Sequence, residues 1–135
     1  MSTIHIATGT PYDVLIEPGL LDRCGQLIKS VHKPCSVAIV TDSGVPTKLA
    51  DRAEVALTQA GFGVHRVVFE QGESHKNLNT FSTLLEFFAS VPLTRSDLVV
   101  ALGGGIVGDT AGFAAACYLR GLPFVQIPTT LLAAV

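Results

Sequence analysis

A run of glycines placed directly after an unbroken apolar segment constrains this chain more than any other feature. Leu98-Val99-Val100-Ala101-Leu102 reads as a buried parallel strand, and Gly103-Gly104-Gly105-Ile106-Val107-Gly108-Asp109 follows it. A small-residue, helix-like stretch then covers 110–117. Strand, glycine turn and helix together set backbone N–H groups and a helix N-terminus against a phosphate. Glycine suits such a turn because a Cβ holds the backbone away from the phosphate oxygens and penalises positive φ. The pattern points to a phosphorylated ligand, a nucleotide first of all. The alternative is a glycine turn that only tightens a strand–helix junction. The letters also spell G-x-G-x-x-G. The dinucleotide fingerprint, however, expects an acid about 20 positions later, and no Asp or Glu follows Asp109.

The rest of the chain alternates strand and helix patterns. Residues 3–7 and 12–16 read as a hairpin around Thr8-Gly9-Thr10-Pro11. A helix starting at Pro18 runs to 31, a short strand covers 36–40, and a helix covers 46–60, closed by Gly61-Phe62-Gly63. A strand at 64–69, a helix at 77–90 and strands at 98–102 and 123–127 complete the order. Such alternation predicts an α/β fold: a Rossmann-like, mostly parallel sheet with helices on both faces and an N-terminal β-hairpin. Ligands of such sheets bind beyond the carboxyl ends of the strands. Every strand–helix junction on that edge is polar or glycine-rich: Thr41-Asp42, 70–76, 103–109 and Pro128-Thr129-Thr130.

Composition narrows the partners. The 135 residues, one domain by length, are 48% hydrophobic and 15% charged, with a net charge of −2. Nothing there attracts nucleic acid or an anionic membrane surface. No segment has the ~18 unbroken apolar residues of a membrane span, and no signal-peptide pattern opens the chain. Cys24, Cys35 and Cys117 form no CxxC and read as free thiols of a cytoplasmic protein. His5, His32, His65 and His75 make no close pair, so no metal site is expected within the chain. From Thr110 onward Arg120 is the single charge. That apolar end, with helix-like residues from Thr129 to the terminus, predicts a chain covered by further protein and truncated at its C-terminal side.

Individual residues carry more than one reading. Asp42 suits either two ribose hydroxyls or a turn. Lys76 suits a phosphate, an ion pair with Glu73, or solvent. His75 fits a surface histidine. Asp109 suits a helix N-terminus or a ligand at the edge of the glycine turn. Thr129 and Thr130 open a last helix, one as its cap. Arg120 needs either a carboxylate partner or an anionic ligand.

The glycine run, then Gly112-Phe113-Ala114-Ala115, Tyr118-Leu119-Arg120-Gly121 and Gln126-Ile127-Pro128-Thr129-Thr130-Leu131-Leu132, closely resemble the 3-dehydroquinate synthase family. Gly72-Glu73-Ser74-His75-Lys76 and Thr41-Asp42 fit the same family in order. The resemblance covers residues 1–135 as an NAD-binding N-terminal domain and implies that the family's helical C-terminal domain is absent. It implies NAD contacts from Asp42, from Gln71, Gly72, Glu73, Ser74, His75 and Lys76, from Gly103, Gly104, Gly105, Ile106, Val107, Gly108 and Asp109, and from Thr129 and Thr130. Arg120 is implied to reach the substrate phosphate in a neighbouring subunit of a homodimer. The implied reaction is a lyase step of the shikimate pathway, in aromatic amino acid biosynthesis. It turns a heptulosonate phosphate, a small sugar phosphate, into 3-dehydroquinate. Zinc or cobalt would be held by residues outside this chain, which by itself would be inactive. Gly44 departs from the family, which often has Asn there. Competing readings are another sugar-phosphate cyclase such as 2-deoxy-scyllo-inosose synthase, a relative of the iron-type alcohol and glycerol dehydrogenases, and a non-enzymatic nucleotide-binding module.

Overall fold

β1 (Ser2–Ile6) and β2 (Tyr12–Ile16) pair antiparallel, with Ile4 opposite Val14, in a two-stranded sheet of their own. The computed structural model describes residues 1–134. After the hairpin come α1 (Leu20–Lys29), β3 (Ser36–Asp42), α2 (Thr47–Gln59), β4 (Gly63–Phe69), α3 (Leu78–Ser90), β5 (Leu98–Gly103), α4 (Gly105–Cys117) and β6 (Phe124–Pro128). The second sheet has the order β4-β3-β5-β6, and every neighbouring pair is parallel.

Alternation along β3 and β5 builds two cores. Val37, Ile39, Leu98, Val100 and Leu102 point to one face, where Ile28 of α1 and Ala53 and Leu57 of α2 cover them. Ala38, Val40, Val99 and Ala101 point to the other, under Leu84 and Phe88 of α3 and Val107, Ala111 and Ala114 of α4. Burial on both faces is why these strands read as unbroken apolar runs. Close packing depends on small residues. A Cβ on Gly25 of α1 would meet the backbone carbonyl of Ala56 in α2. A Cβ on Gly112 of α4 would come within 3.3 Å of the Phe124 ring.

Chain direction then fixes where chemistry can gather. β3 pairs with β4 on one side and β5 on the other. The crossover through α2 lies on one face and the crossover through α4 on the other. The order therefore reverses between β3 and β5, and a crevice opens beyond their carboxyl ends.

Several boundaries differ from the sequence reading. α1 begins after Gly19, whose φ of 83° is left-handed and lies outside any helix, and it ends at Lys29 rather than 31. β3 continues through Thr41 and Asp42. The largest correction concerns α4, which starts at Gly105 and not at 110. The glycine run thus ends β5 at Gly103 and supplies the first turn of α4 from Gly105 onward. Val107 and Ala111 are completely buried there, and that burial outweighs the low helix propensity of glycine. At the chain end, Leu132–Ala134 form one 3-10 turn instead of a helix opening at Thr129. The final residue of that expected helix, Val135, lies outside the described residues. Among the described residues no helix is long and apolar enough to cross a membrane.

Candidate functional site

Parallel pairing brings Asp42, the 70–76 connection, the glycine turn and Thr129–Thr130 to one sheet edge. Asp42 ends β3. Its Oδ1 accepts the Gly44 N–H at 3.0 Å, a turn bond that uses one of the two carboxylate oxygens. The neighbouring loops are laced together. Ser43 N–H donates to the Phe69 carbonyl at 2.9 Å, and Gln71 N–H donates to Ser43 Oγ at 2.9 Å. The Gln71 amide oxygen lies where a Cβ at position 44 would stand, so Gly44 leaves room for that side chain. Sequence reasoning missed the part played by Ser43. Its signal was a serine directly after Asp42, in a stretch where the aspartate alone was weighed.

The connection after β4 holds its own shape. Residues Glu73–His75 make one 3-10 turn after Gly72, whose φ is 116°. His75 Nδ1 stays within this loop, 3.2 Å from the Gln71 carbonyl and 3.4 Å from Ser74 Oγ. Asn77 caps α3 by accepting the Thr80 N–H at 3.0 Å.

At the end of β5 three features favour an anion. Gly104 is extended and precedes α4 without a side-chain cap. The first amides of α4 therefore have no partner within the helix, and they sit at the positive end of its dipole. A Cβ at Gly105 would meet nothing within 4 Å, so open space lies above the first turn. Gly103 is glycine for a different reason: a Cβ there would press into Val107 at 2.6 Å. From β6, Thr129 N–H donates to the Gly103 carbonyl at 2.9 Å, and the Thr130 methyl packs 3.4 Å from the position of a Gly104 Cβ. Thr130 Oγ1 accepts the Ala133 N–H at 3.2 Å, at the 3-10 turn that stands in place of the expected helix.

Two of the charged residues are placed differently from the sequence reading. Asp109 lies in the second turn of α4, beyond reach of the helix-terminus role expected for it, because the helix begins four residues earlier. It binds Lys76 instead, Nζ to Oδ2 at 2.9 Å, and that hydrogen bond and charge raise the lysine pKa. Lys76 is thus paired with Asp109 rather than Glu73. Arg120 is exposed and stands at the opposite edge of the sheet, between the end of α4 and the start of β6. No buried charge needs compensation there. Leu119 and Arg120 both have left-handed backbones, with φ of 49° and 68°. Such strain costs of order 1 kcal/mol or more per residue and clusters at functional positions.

An open depression of about 230 Å³ beside Asp42, on the α2 side of the sheet, was not foreseen. Thr41 and Arg66 line it, and Arg66 is tied to Asp51 of α2 at 2.9 Å. No cluster of three or more His, Cys, Asp or Glu residues able to hold a metal occurs among the described residues.

A crevice at the switch point of a doubly wound parallel sheet, with a glycine turn feeding an uncapped helix N-terminus, defines a class: α/β domains that present an anion-binding carboxyl edge. Within that class the chain belongs to the 3-dehydroquinate synthase family. Residues 66–135 match the family model described as 3-dehydroquinate synthase N-terminal. The 3-dehydroquinate synthase of Streptococcus gordonii is 47% identical over 125 residues, which are 93% of this chain and 35% of that protein. That of Streptococcus sanguinis is 49% identical with the same coverage. The chain thus spans about a third of the length of the curated relatives it matches. Among solved structures, 2-deoxy-scyllo-inosose synthase complexed with carbaglucose-6-phosphate, NAD+ and Co2+ superposes with a TM-score of 0.88 at 28% identity, over 98% of this chain and 36% of that one. ValA, a 2-epi-5-epi-valiolone synthase from Streptomyces hygroscopicus with NAD+ and Zn2+ bound, gives 0.78 at 28%, over 95% and 35%. Glycerol dehydrogenase from Schizosaccharomyces pombe gives 0.64 at 20%, over 80% and 25%, and shares the fold alone.

Proposed function

We propose that this chain is the NAD-binding part of a 3-dehydroquinate synthase, a lyase that converts 3-deoxy-D-arabino-heptulosonate 7-phosphate to 3-dehydroquinate and phosphate. The observation that carries the reading is the open position above Gly105 beside free helix amides, on the same edge as the Asp42 carboxylate. A pyrophosphate fits the first, and ribose hydroxyls fit the second. Bound NAD would supply a reversible hydride acceptor. This chain's residues would do the holding: α4 amides at the pyrophosphate, Asp42 at a ribose, and the 71–76 loop with Thr129 and Thr130 as walls.

The described residues offer no donor set for a divalent metal. In this reading the zinc or cobalt of the family is ligated outside this chain, and the chain by itself does not turn over substrate. Arg120 sits a full 13-residue helix, about 20 Å, from the glycine turn. It is too far to serve its own site, which supports a homodimer in which it meets the substrate phosphate of the second copy. Three free cysteines accord with a cytoplasmic setting.

Calorimetric titration of NAD into the chain tests the reading. Saturable binding is expected, weakened about tenfold or more in Asp42→Asn, which keeps the turn bond and loses the charge. Absence of binding in folded chain, or an unchanged affinity in Asp42→Asn, contradicts it.

A further inference from the structure

Alternation along β3 sends Thr41 to the face that carries Val37 and Ile39. Asp42 follows Ala38 and Val40 to the other face, where α4 and its glycine turn lie. The depression of about 230 Å³ belongs to the first of these faces, with Val45, Ala50 and Val68 as its apolar walls. It lies behind the sheet as seen from the glycine turn. Two of the residues that line it bury a polar atom without a partner: Thr41 its Oγ1 and Arg66 its Nε. Thr41 is only 3% exposed, and an unpaired polar group at such depth is costly. Thr47, also in the lining, opens α2 after Pro46, with no side-chain cap and no acid in the first turn. Leu49 N–H turns back to the Pro46 carbonyl at 2.9 Å. The amides of Thr47 and Lys48 have no partner within the helix and sit at the positive end of its dipole.

Charge decides which ligand suits these donors. Arg66 Nη2 reaches Asp51 at 2.9 Å and also Glu54. Two carboxylates already oppose the guanidinium, and Asp42 borders the depression as a third. A phosphate dianion meets their combined repulsion. A monocarboxylate brings a single charge and two acceptor oxygens, enough for Arg66 Nε–H, the Thr41 hydroxyl and an α2 amide. Its remaining body meets apolar walls. We propose that this depression is a second ligand site, for a small monocarboxylate with an apolar body. The site depends neither on NAD nor on the reading above.

NMR titration of sodium benzoate, and separately of inorganic phosphate, into wild type, Thr41→Val and Arg66→Lys tests the proposal. Saturable benzoate shifts are expected at Val45, Ala50 and Val68, and no saturable phosphate shifts there. Thr41→Val exchanges the hydroxyl for a methyl of similar size. Benzoate is expected to bind it about two- to tenfold more weakly, the worth of one hydrogen bond. Its thermal midpoint is expected to be unchanged or raised, because the unpaired hydroxyl is gone. Arg66→Lys keeps a cation for Asp51 and Glu54 but removes the Nε donor, and the same range of weakening is expected. The proposal is overturned if benzoate gives no saturable shifts, or gives them only at other residues. It is equally overturned if phosphate binds there as tightly, or if Thr41→Val binds benzoate as well as wild type does, since solvent alone would then serve the hydroxyl. Displacement of benzoate by NAD would put it in the crevice and also refute the site. Benzoate results as expected, with no NAD binding in folded chain, would sink the nucleotide reading and leave this one standing.

Discussion

Gly105 and Gly103 are two positions apart and are glycine for opposite reasons. Gly103 is hemmed in by Val107, whereas Gly105 faces open space. Nothing in the protein's own packing requires glycine at 105, and its φ lies outside the left-handed region. Gly105→Ala is therefore expected to leave the thermal midpoint unchanged or slightly raised, since alanine is the better helix former, while NAD affinity falls at least tenfold. Paired melting and titration of the variant check both halves. A loss of stability would mean that the position is structural. The sequence displayed the glycine run plainly, but it could not separate these roles, because spacing carries no information about which Cβ has a neighbour. The same limit applies to Asp109. Its letter suits a helix terminus, and only the true start of α4 at Gly105 moves it into the second turn and toward Lys76.

Among the helices, α1 and α2 pack closely at Gly25. Their axes approach so closely that a Cβ on Gly25 would enter the Ala56 carbonyl. That obstacle is backbone, so it cannot swing aside. Gly25→Ala is expected to lower stability by about 1–3 kcal/mol despite the better helix propensity of alanine, read as a lower denaturant midpoint with an unchanged slope. Elements were the scale at which the sequence was most legible. The apolar runs of β3 and β5 and the spacing of Leu84 and Phe88 identify their elements directly, because two-sided burial leaves a continuous signature. Ends were less legible. A left-handed Gly19 stops α1 from starting at Pro18, and burial of Val107 pulls the glycine run into α4. Both are outcomes of tertiary packing that local propensity does not encode.

For the molecule as a whole, burial of the Cys24 thiol pushes its pKa up to about 11 from the usual 9.0. The folded state then keeps a proton that the unfolded chain releases first. Stability is level with respect to this group below pH 9. Between pH 9 and about 11 it falls, by roughly 2 kcal/mol for a shift of this size. Chemical denaturation across that range is expected to show a smaller loss in Cys24→Ala than in wild type. An identical loss would mean that the thiol does not contribute. The sheet order has a further consequence, in time. Ser36 at the start of β3 donates to Asp97, 61 positions later in the chain. At ribosomal rates of about 5–20 residues per second, β3 leaves the ribosome some 3–12 s before its second neighbour does. Until then β3 has at most β4 beside it, and the other side of the strand is open to passing chains. A central strand made early and completed late is where a molecular chaperone finds most to do.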